Sequence, residues 1–386
     1  MVARTPTTHL SQSPLSLDHQ ATTPCAPEVV EAMAPYWEQH WGNPSSRQHR
    51  LGLSASAAVN LARQQLIKSL ALRHSSLVFT SGATEANNLA LLGRARHHGR
   101  SGHLISVSTE HHAVLDPLRQ LQREGFRVTL LSPGSDGLVT ADQLRTALEP
   151  DTFLVSVMAA NNEIGVLQPL QALGALCRER GISFHSDAAQ AFGNVPLAPE
   201  CLGLDLVSLS AHKIYGPKGI GALVIRDGER LSPLLWGGGQ QDGLRPGTLP
   251  TPLIVGFAAA ASLAVSDLEQ SRSHRSRLRN KLWEGLQKRL PTVQLNGAAE
   301  PRLPHNLNIT LPGLNGRRLH QALRSKLICS SGSACSRGEP SHVLQALGRS
   351  RADAEASLRL SLGRDTTETE IDQTIELISE VASALQ

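Results

Sequence analysis

Lys213 is the residue with the most evident chemical potential. An apolar run over 204–209 leads into Ser210-Ala211-His212-Lys213, and the turn formers Gly216-Pro217 and Gly219-Ile220-Gly221 follow. The run reads as a buried strand and Gly-Pro as the turn that ends it. An amine placed where a core strand becomes a tight loop is partly desolvated. It loses its proton more readily than a solvated lysine, which suits Schiff-base formation with a carbonyl compound. Ser210 and His212 beside it offer hydrogen-bond donors to a phosphate. The alternative is a surface loop that happens to carry a lysine, so this stretch needs support from elsewhere in the chain.

Four other polar clusters supply it. Ser81-Gly82-Ala83-Thr84-Glu85 follows the apolar segment 77–80 and opens a helical pattern that reaches about 97. Small residues there leave backbone N–H groups open at the positive end of a helix, where an anion is favoured, and Thr84 adds a hydroxyl. An ordinary helix cap would use the same residues. Thr109-Glu110-His111-His112 follows the segment 103–107; His111 is either a ring able to stack on a flat cofactor or a solvated loop histidine. Asn161-Asn162 follows 153–158, and Asp187-Ala188-Ala189-Gln190 follows 182–185. Asp187 is either a carboxylate set against a ring nitrogen or the cap of the next segment, while Asn161 and Gln190 could hydrogen-bond a ring oxygen. An amine, a phosphate cradle and an acid that keeps a pyridine nitrogen protonated are together the needs of pyridoxal 5′-phosphate, whose pyridinium ring serves as an electron sink.

These clusters are useful only if one scaffold gathers them. Apolar segments at 77–80, 103–107, 127–131, 153–158, 182–185, 204–209 and 220–226 alternate with helical patterns for most of this length. That alternation predicts an α/β fold with a mostly parallel sheet. Each cluster falls just after a strand, and open α/β sheets bind ligands beyond the carboxyl ends of their strands. Helices are expected over 28–41 and 54–72, and a long one over 252–290. The second region should hold strands at 306–311 and 357–362, helices at 314–327 and 340–347, and a final amphipathic helix from 367. The glycine-rich loop 236–248 is long enough to be functional or to lie at an interface. The expected division is a flexible extension over 1–14, a large domain over 15–255 and a small α+β domain over 256–386, which the N-terminal segment also joins.

Two further residues carry chemistry. Cys335 lies in Ser330-Ser331-Gly332-Ser333-Ala334-Cys335-Ser336-Arg337-Gly338, where small neighbours give access and Arg337 and Lys326 could favour a thiolate; an incidental exposed cysteine is the alternative. Cys329, after Leu327-Ile328, reads as a buried strand thiol. Arg359 falls in the apolar pattern Leu358-Arg359-Leu360-Ser361-Leu362, so its charge needs a carboxylate, either from the protein or from an amino-acid substrate. The five cysteines among 386 residues are scattered, without disulfide-framework or zinc spacing, which fits a reducing compartment. The net charge of +4 and the absence of a long basic run argue against nucleic acid. No stretch approaches the ~20 apolar residues of a membrane helix. Residues 1–14 have no apolar signal core and read as a disordered extension or the remnant of an organellar transit peptide.

Taken with LDHQATTP, GNPSSRQHR, FTSGATEANNLA, STEHHAVLD, NNEIGVLQ, HSDAAQAFG, SAHKIYGPKGIGAL, GGGQQDGLRPGTLP, SSGSACS and LRLSLGRDTTETEID, the chain resembles the cysteine desulfurases from about residue 15 onward. These are fold-type I pyridoxal phosphate enzymes of the class-V aminotransferase-like family, and SSGSAC resembles their iron–sulfur and nitrogenase-type subgroup. The resemblance implies a seven-stranded large domain, with Lys213 as the Schiff-base lysine that also removes the substrate Cα proton. It implies Asp187 at the pyridinium nitrogen, His111 on the ring, and Asn161 and Gln190 near the ring oxygen. It implies Gly82, Ala83, Thr84, Ser210 and His212 around the phosphate, with Thr248 reaching it from the partner in a homodimer that shares its active sites. Arg359, with Asn43 and Asn161, would bind L-cysteine. Cys335 would take the sulfur as a persulfide, releasing alanine and passing sulfur to an acceptor or iron–sulfur scaffold protein; no resident metal is implied, though Cys335 could transiently ligate an iron–sulfur cluster. The setting would be the cytoplasm, or an organelle if residues 1–14 are a transit remnant. A cystine or cysteine C–S lyase or an aminotransferase of the same fold is the alternative and would not need Cys335.

Overall fold

The computed structural model describes residues 14–331 and 340–386. Twelve strands follow one another among these: β1 Leu15–Ser16, β2 Ser75–Thr80, β3 His103–Val107, β4 Arg127–Leu131, β5 Thr152–Ser156, β6 Ser183–Asp187, β7 Leu206–Ser210, β8 Gly221–Arg226, β9 Gln294–Leu295, β10 Asn306–Thr310, β11 Leu327–Ile328 and β12 Ser357–Ser361. The central sheet has seven strands in the order β2-β8-β7-β6-β5-β3-β4. β8 runs antiparallel to both its neighbours, and the other pairings are parallel. β3, β5, β6 and β7 are buried along their whole length, as continuous apolar strands covered by helices on both faces should be. Their carboxyl ends deliver Asp187 from β6 and Ser210 from β7 to one side of the sheet.

A smaller antiparallel sheet, β12-β10-β9, and the parallel pair β1-β11 form the second region. Its core is separate: Leu17, Leu278, Leu282, Leu286, Ile309, Leu358 and Ile378 cluster there, away from the core around Phe79, Val155, Phe184 and Val207. Leu17 in the second core ties the start of the described chain to its end, and Ser361 N–H donates to Leu17 O at 2.7 Å.

Several element boundaries differ from expectation, each for a local reason. The helix expected over 28–41 is two pieces, Pro27–Met33 and Pro35–Glu38, because Pro35 has no N–H to continue the first. The single long helix expected over 252–290 is also two, Thr251–Ser266 and Leu268–Arg289, bent by 69° at the break. The first of these is apolar and packs Ile254, Phe257, Ala258 and Ala261 into the core of the large sheet, across the expected boundary at 255. The second is polar and leans on the other core. No single described helix is long and apolar enough to cross a membrane.

Candidate active site

The strand ends and the turn after β1 enclose a cavity of about 470 Å³. Lys213, Asp187, His111, Gly82, Ala83, Thr84, Gln190, Ser210, His212 and Arg359 all line it, drawn from segments up to 277 residues apart in sequence.

Lys213 closes a short 3₁₀ turn, Ala211–Lys213, directly after β7. Its Nζ donates to Gln20 O at 2.5 Å and Ala21 O at 2.9 Å. The turn after β1 thus fixes where the amine sits, and Thr23 Oγ1, donating to His212 O at 3.0 Å, ties the same turn to the lysine loop. Burial together with the charges of Lys213 and Lys218 pushes the His212 imidazole down to about 4, so its ring is neutral near pH 7.

Asp187 ends β6 with 7% of its surface exposed. One carboxylate oxygen accepts from Asn87 Nδ2 at 2.6 Å and the other from Ala189 N at 2.9 Å. It therefore makes the local cap bond that the sequence allowed and still faces the cavity. Asn87, which sequence reasoning missed, lies one helical turn after Thr84 on the same face, and this i, i+3 spacing is the signal that could have found it. Glu110 is wholly buried nearby. Burial and the neighbouring Asp187 hold its carboxyl well above the usual carboxylate range, and Oε1 accepts from Met158 N at 2.6 Å. His111 caps the following helix through Nδ1, which accepts from Ala113 N at 3.0 Å. That bond leaves the ring proton on Nε2, and burial lowers the ring's pKa, so His111 is a neutral Nε2–H imidazole rather than a solvated cation.

At the other wall the helical run begins at Gly82, whose φ of 151° favours glycine, and no side chain caps it. Its first N–H groups therefore remain available for an anion beside Ser210 and His212. Gly221 on β8 permits the close approach: a Cβ there would meet Leu209 O and lie 2.7 Å from Gly82 Cα. Glu85 and Arg245 brace the rim with an ion pair at 2.7 Å.

Arg359, only 2% exposed, donates to Asp18 Oδ1 at 2.7 Å and to Asn162 O at 2.9 Å. Its Nε is buried without a partner. One guanidinium that lines the cavity thus carries both a protein ion pair and a donor without a partner. Ser330 O accepts from Arg359 N at 2.6 Å, and on the far side of residues 332–339 His342 Nε2 lies 2.9 Å from Glu110 O. Both flanks of 332–339 are therefore anchored beside the cavity. Cys335 itself, with Arg337, lies outside the described residues, as do residues 1–13 of the extension expected over 1–14.

Three expected residues stand apart. Asn161 does not line the cavity: its amide donates to Thr109 O at 2.9 Å and accepts from Glu163 N and Ile164 N, shaping the turn, while Asn162 beside it lines the wall. Asn43 is exposed and caps its own turn by accepting from Ser45 N at 2.9 Å. Thr248 is exposed in the glycine-rich loop. Cys329 follows β11 rather than lying within it, and burial pushes its thiol up to about 12, which leaves it unreactive. Among the described residues no group of histidine, cysteine or acidic side chains could hold a metal ion.

The residues present fit a phosphorylated pyridine aldehyde: an amine held in place, a carboxylate fixed by two donors, an uncapped helix start and a buried arginine line one cavity. Comparison with known proteins agrees. A family model described as aminotransferase class-V matches residues 15–374. The cysteine desulfurase IscS of Rickettsia akari (strain Hartford) is 46% identical over 370 residues, 95% of this chain and 90% of that protein. Among solved structures, a NifS-like protein superposes with a TM-score of 0.89 at 35% identity, covering 96% of this chain and all of that one. SspA in complex with cysteine reaches a TM-score of 0.79 at 37% identity, covering 90% of this chain and 98% of that one.

Proposed function

The chain belongs to the class-V aminotransferase family, and from that membership and the make-up of the cavity we propose that it is a pyridoxal 5′-phosphate-dependent cysteine desulfurase. The observation that carries this reading is that Lys213, Asp187 and the partly unsatisfied Arg359 line one cavity together with an uncapped helix start. Lys213 would hold the cofactor, Asp187 its ring nitrogen, and Gly82, Ala83, Thr84, Ser210 and His212 its phosphate, while Gln190 and Asn162 border the ring's oxygen side. When bound, the cofactor supplies an electron sink that makes the substrate Cα–H acidic.

The rest of the chemistry belongs to the chain's own residues. Arg359 binds the carboxylate of L-cysteine and sets its orientation. The Lys213 amine takes the proton from Cα and returns one to Cβ as alanine forms. His111, a neutral Nε2–H donor, holds a proton at the cavity face. The Cys335 thiolate attacks the substrate sulfur: the S–S bond forms as the Cβ–S bond breaks, leaving a persulfide on Cys335 and releasing L-alanine. Anchoring of both flanks of 332–339 beside the cavity supports placing Cys335 in this step. The persulfide then passes to a sulfur acceptor or iron–sulfur scaffold protein, in a cytoplasmic setting where thiols stay reduced.

A homodimer accounts for the two outlying residues. Trp236 is 82% exposed and Trp41 67% exposed, close in sequence to Thr248 and Asn43 respectively. Apolar exposure of that size suits a subunit interface through which both residues would reach the other copy's cavity. Within each chain we place the division between large and small parts at the bend by Asp267, because the helix Thr251–Ser266 packs with the large sheet.

The test is L-alanine and sulfide release from L-cysteine, with mass analysis of Cys335. Cys335→Ala should keep the cofactor's visible band and lose sulfur transfer; full turnover in that variant would favour a C–S lyase instead. Lys213→Ala should lose the band near neutral pH.

A further inference from the structure

A second cavity, of about 490 Å³, lies where the helix Leu268–Arg289 and the turn after β12 meet the loop that follows Lys213, and it shares no lining residue with the first. Arg275 lines it and is only 4% exposed. Its Nε donates to Ser271 O at 3.2 Å and its NH1 to Asn194 Oδ1 at 2.8 Å. Among the described residues its second terminal nitrogen has no partner, and no carboxylate lies within ion-pair distance. Burial lowers the guanidinium only to about 10, so it keeps its charge at neutral pH. A buried charge balanced by two neutral acceptors is unfavourable unless a counter-ion supplies the rest.

The neighbouring groups point the same way. Tyr215 Oη accepts from Arg364 N at 2.7 Å, which leaves its own proton to donate. The Arg364 guanidinium sits 4.8 Å from the centre of the Tyr215 ring. Three carboxylates stand on the lining, Glu28, Asp267 and Asp365, but all are exposed. Asp365 is engaged by Arg364 Nε at 3.3 Å. The buried end of the cavity is thus cationic, while the carboxylates are confined to the exposed rim, where solvent and salt screen them.

We propose that this cavity binds a small oxyanion of the phosphate type, with Arg275 as its buried counter-charge and the Tyr215 hydroxyl and Arg364 as further donors. The site backs onto the loop of Lys213. Tyr215 follows that lysine by two residues in a left-handed conformation with φ of 63°, and its N–H donates to Thr23 Oγ1 at 2.8 Å. An anion held here would therefore stiffen the loop that positions the amine.

The experiment is isothermal titration of the cofactor-loaded protein with inorganic phosphate, alongside Arg275→Gln prepared in the same way. Loading fills the phosphate cradle at Gly82 to Thr84, a control that rests on the cofactor reading above. If that reading fails, the preparation lacks the visible band, and this failure is seen before any titration. The expected result is saturable binding of one phosphate per chain, weakened at least tenfold in Arg275→Gln while the band is unchanged. No saturable binding in the parent protein, or equal affinity in the variant, overturns the proposal. Should Arg275→Gln fail to fold, crystals of the parent soaked in selenate give the same decision. An anomalous peak within hydrogen-bond distance of Arg275 supports the site, and an empty cavity there rejects it.

Discussion

In the proposed role of carboxylate binder, Arg359 must satisfy two demands that usually exclude each other. A guanidinium this buried needs a permanent partner, yet one that binds a substrate must keep donors unspent. Asp18 and the carbonyl of Asn162 meet the first demand, and Nε is left for the second. Arg359→Gln should therefore raise KM for L-cysteine by roughly ten- to a hundred-fold, the loss of one charge-assisted hydrogen bond worth about 1.5–3 kcal/mol. The visible band of the bound cofactor should persist, because Arg359 is not among the groups assigned to hold it. Steady-state kinetics with absorbance of the resting enzyme checks both parts; an unchanged KM would remove Arg359 from the substrate site. The need of Arg359 for a carboxylate was legible from its apolar strand, but Asp18 was not, because it lies 341 residues away and only the β1 turn brings it close. Asn161 is the amide expected from the sequence on the ring side, whereas Asn162 is the one that lines the cavity. Which of two adjacent amides shapes the turn and which faces the cavity is decided by backbone direction.

At the scale of elements, the strand ends were the most readable feature. A parallel strand buried on both faces leaves an uninterrupted apolar run, and the polar residues after it mark its carboxyl end. The direction of β8 was not readable, since an apolar segment looks the same whichever way it pairs. Its antiparallel placement matters, because it sets Gly221 against the loop of Gly82. Gly221→Ala would press a methyl group into Leu209 O and Gly82, where only backbone could move aside. The expected outcome is a loss of about 1–3 kcal/mol in stability and weaker cofactor retention, as the helix start shifts away from Ser210 and His212. Calorimetry and cofactor dissociation on dilution measure these separately. A variant with parental melting temperature and retention would show that the close contact is not needed.

The molecule as a whole carries several histidines in places where they cannot readily be protonated. His185 sits within β6, wholly buried, with Nδ1 2.8 Å from Ser156 Oγ and Nε2 3.0 Å from Ser208 Oγ, and burial pushes it down to about 3. His305 is buried as well, and Arg275, Arg279 and Arg359 add to the burial that holds its pKa well below the usual range. In the unfolded chain both return to about 6.5. As pH falls below that value the unfolded state takes up protons that the folded state refuses, so the stability due to each neutral ring is present above pH 6.5 and lost on acidification. Each costs about 1.4 kcal/mol per pH unit until the folded pKa is reached. Glu110 opposes this, because its raised pKa lets the folded state bind a proton that the unfolded state has released. The absolute slope is therefore mixed, and a difference between proteins isolates one residue. His185→Gln can still bond Ser156 and Ser208 and does not titrate. Denaturant unfolding between pH 6 and 4 should show the parent losing about 1.4 kcal/mol per pH unit more than the variant. Parallel lines would mean that the His185 proton is taken up equally by both states, and that the serine pair does not hold the ring neutral beneath the active site.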